Sequence, residues 1–318
     1  NVIADDVFDL FASNYSKANY GFAGWSFDQN AQPGGASRIY GPNEAITAPA
    51  PSTPGETKTL YAVWVPAETG VYMQTWNGCS SMNVGDVIAL KDQRDTNTYT
   101  VGKLADGNCW MMENLRLDNT ATLSNLNTDN PASGFTSIAA STDDWCTDYD
   151  ETCINQNKLN TNNIANPVSP MTGTDANTYS YSNYYNWYSA TAGNGTYDKS
   201  SGTVAGDLCP AGWILPIGNN TSDNGSFYQL NQALNNGSTD ATASNRWRSF
   251  PNNFVYSGSW YGSSAGSRGN SGYYWSSTAN RTYNAYSLGF DSDGVNPGTN
   301  NDNKYYGYSV RCVAPVEQ

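Results

Sequence analysis

The chain has 318 residues, a formal net charge of -13 and a pI near 4.2; 38% of it is hydrophobic, 13% aromatic and 14% charged. So many aromatics with so little charge exclude a disordered chain, and without a basic footprint a nucleic-acid partner is excluded too. The chain has no histidine, which removes histidine-based triads, histidine general bases and histidine-bound zinc.

The length allows two or three domains and a sizeable core, and the acidity reads as solubility. At the start, Asp5 and Asp6 precede Val7, Leu10 and Phe11, a spacing that predicts a helical turn. Tyr20-Gly21-Phe22-Ala23-Gly24-Trp25-Ser26 follows, then a Gly/Pro-rich loop, and Thr59-Leu60-Tyr61-Ala62-Val63-Trp64 reads as a strand. Pro66-Ala67-Glu68-Thr69-Gly70 reads as a linker. Beyond it, Val84 to Leu90 and Tyr99 to Leu104 predict two strands around a polar turn. Next comes Asn108-Cys109-Trp110-Met111-Met112-Glu113-Asn114-Leu115-Arg116-Leu117. A polar, irregular stretch then runs to about 207, with an acidic loop around Cys146 and Cys153 and a tyrosine cluster between Tyr179 and Tyr188. A stretch of that kind reads as an insertion, not as core. After Leu208-Cys209-Pro210-Ala211-Gly212-Trp213-Ile214-Leu215-Pro216, the spacing of Phe227, Leu230 and Leu234 predicts a short helix at about 225–236. Late strands are predicted where Tyr286, Leu288 and Phe290 alternate with Ser287 and Gly289, and where Val310 and Cys312 alternate with Ser309 and Arg311.

Cys79, Cys109, Cys146, Cys153, Cys209 and Cys312 are an even set, widely spaced and without a C-x-x-C pair. They read as three disulfides, not a zinc site, and place the chain in an oxidising, extracytoplasmic setting: secreted or on a bacterial cell surface. Connectivity stays open at this point. No apolar run is long enough to span a membrane and no signal peptide starts the chain, so it reads as a mature or trimmed form.

Two resemblances emerge from these segments. "GFAGWS" and "TLYAVW", some forty residues apart, resemble the Listeria–Bacteroides (internalin B-type) repeat. The resemblance implies a small β-grasp-like spacer over residues 1–66, its usual first strand replaced here by the helix-like start. "NCWMMENLRL", "LCPAGWILP", "YYWSST" and "GYSVRCV", in that order, resemble the Fibrobacter succinogenes major paralogous domain, a bacterial surface module. That module is similar to the C-type-lectin-like fold of formylglycine-generating enzymes and of the variable proteins of diversity-generating retroelements. What the resemblance implies is an α+β, C-type-lectin-like domain over residues 71–318. It would have long irregular loops, few short helices and an insertion at about 118–207. It also implies pairing of Cys209 with Cys312; Cys146 would then pair locally with Cys153, and Cys79 would be left with Cys109. Trp213 and Trp275 are expected in the core, and Glu113 and Arg116 are expected to hydrogen-bond within the fold.

The expected function is ligand binding, as in an adhesin or receptor-binding protein. Tyrosine gives large contact area at low entropy cost, and Asn, Ser and Gly give adaptable hydrogen bonding. The candidate contacts are Tyr283, Asn284, Tyr286, Asp291, Asp293, Asn296, Asn300, Asn301, Asn303, Tyr305 and Tyr306. In retroelement-diversified relatives this tail is the varied segment. The expected partner is a protein or glycan on another cell surface, with self-association in a surface layer or pilus-like fibre as the rival. Asp143, Asp144, Asp148, Asp150 and Glu151 supply hard oxygen ligands for calcium in a cysteine-flanked loop, although their spacing is not an EF-hand; the bland reading is a solvated loop. Asp291-Ser292-Asp293-Gly294 is a shorter alternative. The Glu-Pro-Asn, Gln-Pro-Asp and Trp-Asn-Asp triplets of calcium-dependent sugar-binding lectins do not occur. An enzyme is not expected, because the cysteines that formylglycine-generating relatives use for copper are here assigned to bridges; that chemistry is the weakest alternative.

Overall fold

A computed structural model describes residues 7–10, 17–53, 55–117, 159–160, 183–192, 195, 199–218, 225–261 and 264–316. Segments rich in Tyr, Thr, Val and Trp form strands, because such side chains pack well on a pleated surface. The strands are β1 (Val7–Asp9), β2 (Tyr20–Ser26), β3 (Ala45–Thr47), β4 (Tyr61–Tyr72), β5 (Val87–Lys91), β6 (Thr98–Lys103), β7 (Cys109–Met111) and β8 (Leu159–Asn160). They continue with β9 (Tyr184–Tyr185), β10 (Gly202–Thr203), β11 (Ser259–Tyr261), β12 (Ser264–Gly266), β13 (Ser271–Ala279), β14 (Asn284–Asp291), β15 (Val295–Asn303) and β16 (Val313–Ala314). The helices among the described residues are α1 (Trp187–Ala190), α2 (Ser226–Asn235) and α3 (Ala241–Arg248). Strands make up 38% of the described residues and helices 13%, so the α+β class is corrected: the architecture is β-rich. Only α2 and α3 reach two turns. The Asn, Ser and Gly between strands favour turns over helix.

One sheet has the order β16-β7-β6-β5-β4-β2, antiparallel except where β4 runs parallel to β5; a second has the order β10-β13-β14-β15, all antiparallel. Two early expectations change. Val7–Asp9 is strand, paired with Ala45–Thr47, and not helix. Tertiary ties override the local spacing: Leu10 is buried, and its N–H donates to the Glu44 carbonyl at 2.9 Å. Pro66–Gly70 is not a linker but the middle of β4. Its Gly70, at φ +74°, falls where the β4–β5 register shifts between Ala67 and Tyr72. The turn signal in the sequence is thus an irregularity within a strand. Further polar ties hold the first sixty residues to α3 and the loop after it. Arg248 pairs with Asp9 at 2.7 Å, Asn253 Nδ2 donates to the Ala23 carbonyl at 2.7 Å, and the Tyr256 N–H donates to Asn43 Oδ1 at 2.9 Å.

The second sheet separates two cores, which explains the unbroken run Tyr273-Tyr274-Trp275. Successive strand residues point to opposite faces. Tyr273 and Trp275 pack with Trp187, Trp213, Tyr308 and the Cys209 and Cys312 sulfurs, whereas Tyr274 packs with Trp110, Trp247, Phe254, Leu288 and Phe290. The four motifs converge on residues 309–313. Trp110 and Ile214 flank Val313, Tyr274 bridges to Ser309, and Cys209 is bonded to Cys312. Cys79 is bonded to Cys109; Cys146 and Cys153 lie outside the described residues. Trp213 and Trp275 are buried as expected. Glu113 accepts from the Thr100 N–H at 2.8 Å and pairs with Arg116 at 3.1 Å, so both side chains tie the fold internally.

Candidate functional site

The meander β13–β14–β15 carries most of the expected contacts, but it does not gather them into one patch. Asp291 and Asp293 lie at the hairpin joining β14 to β15. There Asp291 Oδ1 accepts from the Asp293 and Gly294 N–H groups at 2.9 and 3.1 Å. Both acids are exposed, and Asp291 shapes a tight turn backed by α3. Gly294 is required in that turn, since a Cβ there would lie 2.4 Å from the Thr239 carbonyl oxygen. Asn296 accepts from the Thr299 N–H at 3.1 Å and from its hydroxyl, which builds the irregularity where Leu288 faces Pro297 while Ser287 faces Asn300.

Tyr283, Asn284, Asn301, Asn303, Tyr305 and Tyr306 lie at the other end of β14, about 23 Å away at the rise of an extended strand. Asn284 Nδ2 donates to Asn303 Oδ1 at 3.0 Å, and Asn303 Nδ2 donates to Tyr305 Oη at 3.1 Å. Asn301 is exposed, and Tyr286 is half-buried along the Gly218 backbone. Tyr283 is 39% exposed, whereas Tyr305 is only 4% exposed and packs against Tyr261 and Tyr306.

At the tyrosine-bearing end a polar centre forms around Asp302, which faces Ala285 in the β14–β15 register. Asp302 Oδ2 accepts from Ser287 Oγ at 2.6 Å and from Asn300 Nδ2 at 2.7 Å. Burial pushes the carboxyl above the usual range, and the Ser287 and Tyr308 hydroxyls offset part of that rise. The phenol of Tyr308 is pushed well up, first by burial and then by the charge of Asp302.

A chain of rings leads outward from this centre. Tyr308 stacks on Tyr273 at 5.0 Å and touches Trp275 at 4.4 Å; Tyr306 lies 6.1 Å from Tyr308, and Tyr261 meets Tyr306 edge-on at 5.4 Å. Tyr261 is 49% exposed, so the rings run from the core to solvent. Tyr261 comes from the β11–β12 hairpin, where Trp260 exchanges backbone hydrogen bonds with Gly307. Nothing local in the sequence joins Tyr261 to Tyr306, but the Asp in Asn300-Asn301-Asp302-Asn303 was a readable signal.

Asp143, Asp144, Asp148, Asp150 and Glu151 lie outside the described residues. Among the described residues, no group of three or more Cys, Asp or Glu side chains is placed to hold a metal. Among them too, no helix is long and apolar enough to cross a membrane. No family model, curated protein or solved structure matches the chain.

Proposed function

We propose that this chain is an extracellular ligand-binding protein. Its contact surface would be the tyrosine-rich end of the β13–β15 meander together with the β11–β12 hairpin. The observation that carries the reading is the ring series ending at exposed Tyr261, which runs beside a hydrogen-bonded Asp302–Asn300–Ser287 centre. Rigid aromatic area beside adaptable polar groups is the physical make-up of a recognition surface. The two disulfides support an oxidising compartment, and the four-motif resemblance supports a bacterial surface setting. The partner class is a protein or glycan on another cell, and no catalytic role is assigned to Asp302.

The test is binding of the full chain to intact cells and to arrayed glycans and surface proteins, with and without a calcium chelator. Saturable binding should be lost in a Tyr261→Ala/Tyr306→Ala variant whose melting stays close to that of the parent. Binding that survives this change would refute the surface, and binding only to itself would replace the reading with a self-assembling subunit.

A further inference from the structure

One of the two cores beside the second sheet holds three indoles, Trp187, Trp213 and Trp275. Each donates its Nε1–H to a backbone carbonyl: Trp187 to Ser276 at 2.7 Å, Trp213 to Met73 at 3.0 Å and Trp275 to Tyr185 at 2.8 Å. Indoles, phenols and thiols are the side chains that lose an electron most readily, and among the described residues no cysteine is free to compete. An oxidised indole is acidic, but a peptide carbonyl does not take up its proton, so the electron hole stays mobile. The ring series is the route open to it. Trp275 touches Tyr308 at 4.4 Å, Tyr308 lies 6.1 Å from Tyr306, and Tyr306 meets Tyr261 at 5.4 Å. Every step is within the range of direct ring contact. A radical on Tyr308, 2% exposed, has no room to couple with another chain. At Tyr261, 49% exposed, water can take the proton and a second ring can reach the ring carbons. Tyr61 and Tyr283 are exposed as well, but the series ends on Tyr261.

We propose that Tyr261 is an oxidative cross-linking site, fed by the Trp275–Tyr308–Tyr306 series and joined to the Tyr261 of a second copy of this chain. A ring on an exposed hairpin that meets its own copy forms an isologous pair. The oxidant is a peroxide, acting through a peroxidase-type enzyme. Each Tyr261 gives up one electron and its phenolic proton. The two neutral radicals form one carbon–carbon bond between ring positions next to the hydroxyl groups. The two displaced ring hydrogens move to the oxygens and restore both phenols. The peroxide takes up the two electrons and two protons and leaves as two waters. The coupling needs no ligand and stands apart from the binding activity proposed above.

The experiment is light-driven one-electron oxidation of the full chain with a ruthenium tris-bipyridyl complex and persulfate. The readouts are denaturing gels, dityrosine fluorescence and mass spectrometry of the joined peptides. The parent should give a covalent dimer joined through Tyr261. Tyr261→Phe keeps the ring packing and loses the oxidisable hydroxyl, and it should remove most of the dimer. Tyr306→Phe interrupts the series; it should lower the dimer yield while oxygen addition to the Trp275 peptide rises. A Tyr261 oxidised directly from solvent would show no such rise. No dimer from the parent, a dimer joined at another tyrosine, or an undiminished dimer from Tyr261→Phe would overturn the site. Unchanged yield and unchanged Trp275 oxidation in Tyr306→Phe would overturn the role of the series.

Discussion

Arg311 sits at the convergence of the four motifs, and replacing it with Met should destabilise the chain by about 3 kcal/mol. The guanidinium is fully enclosed. Nε donates to Asn114 Oδ1 at 2.9 Å, Nη1 to the Asn252 carbonyl at 2.7 Å, and Nη2 to the Asn253 carbonyl. Burial lowers its pKa to about 10 from 12.5, so holding the charge inside costs about 3 kcal/mol at 1.36 kcal/mol per unit. Each hydrogen bond to a charged group returns about 2 kcal/mol, roughly 6 kcal/mol for the three. Contact with the Phe254 ring at 4.2 Å adds about 1 kcal/mol, which a Met side chain recovers by packing. Methionine therefore relieves the desolvation but strands two buried carbonyls and the Asn114 amide oxygen. The assay is urea unfolding followed by tryptophan fluorescence, with the midpoint shift converted at unchanged m. A variant as stable as the parent, or more stable, would refute the reasoning. It would place this site with buried ions that a well-packed hydrophobe outperforms.

Three other outcomes are expected. Replacing Cys209 and Cys312 together with Ser should cost about 4–5 kcal/mol, since their separation of 103 residues closes a long loop in the unfolded chain; an unchanged urea midpoint would contradict this. The folded pKa of Asp302 is raised, so its contribution to stability is complete below the unfolded pKa of about 3.9 and declines as pH rises through the folded value. Asp302→Asn should remove that decline, and melting curves from pH 3 to 7 that run parallel for parent and variant would contradict it. Tyr305→Ala should lose about 3 kcal/mol because the ring is 4% exposed, and Tyr261→Ala, at 49% exposure, less than about 1 kcal/mol; similar losses from the two would undo the distinction between support and contact.

Local pattern placed many of the elements correctly. The spacing of Phe227, Leu230 and Leu234 marked α2, the alternation of Tyr286, Leu288 and Phe290 marked β14, and the cysteine-bearing motifs lie where Cys209 meets Cys312. These succeed because period and residue type are properties of neighbours in the chain. The start of the chain and Pro66–Gly70 were misread because their conformations are set from far away: β1 by Ala45–Thr47, and the middle of β4 by pairing to Ala89. The candidate site divides the same way. Tyrosine and asparagine enrichment points to the C-terminal strands, but eight-residue β14 holds Asn284 and Asp291 at opposite ends.

What the sequence by itself determined was therefore the class of surface, acidic and tyrosine-rich without histidine, and the cysteine frame beneath it. Only the tertiary structure decided that Tyr305 is buried while Tyr261 is exposed, that Ser287 and Asn300 hold Asp302, and that Arg268 Nη1 and Nη2 are enclosed without a partner. Burial and hydrogen-bond partnership are set by segments distant in the chain, and no local window of sequence contains both partners.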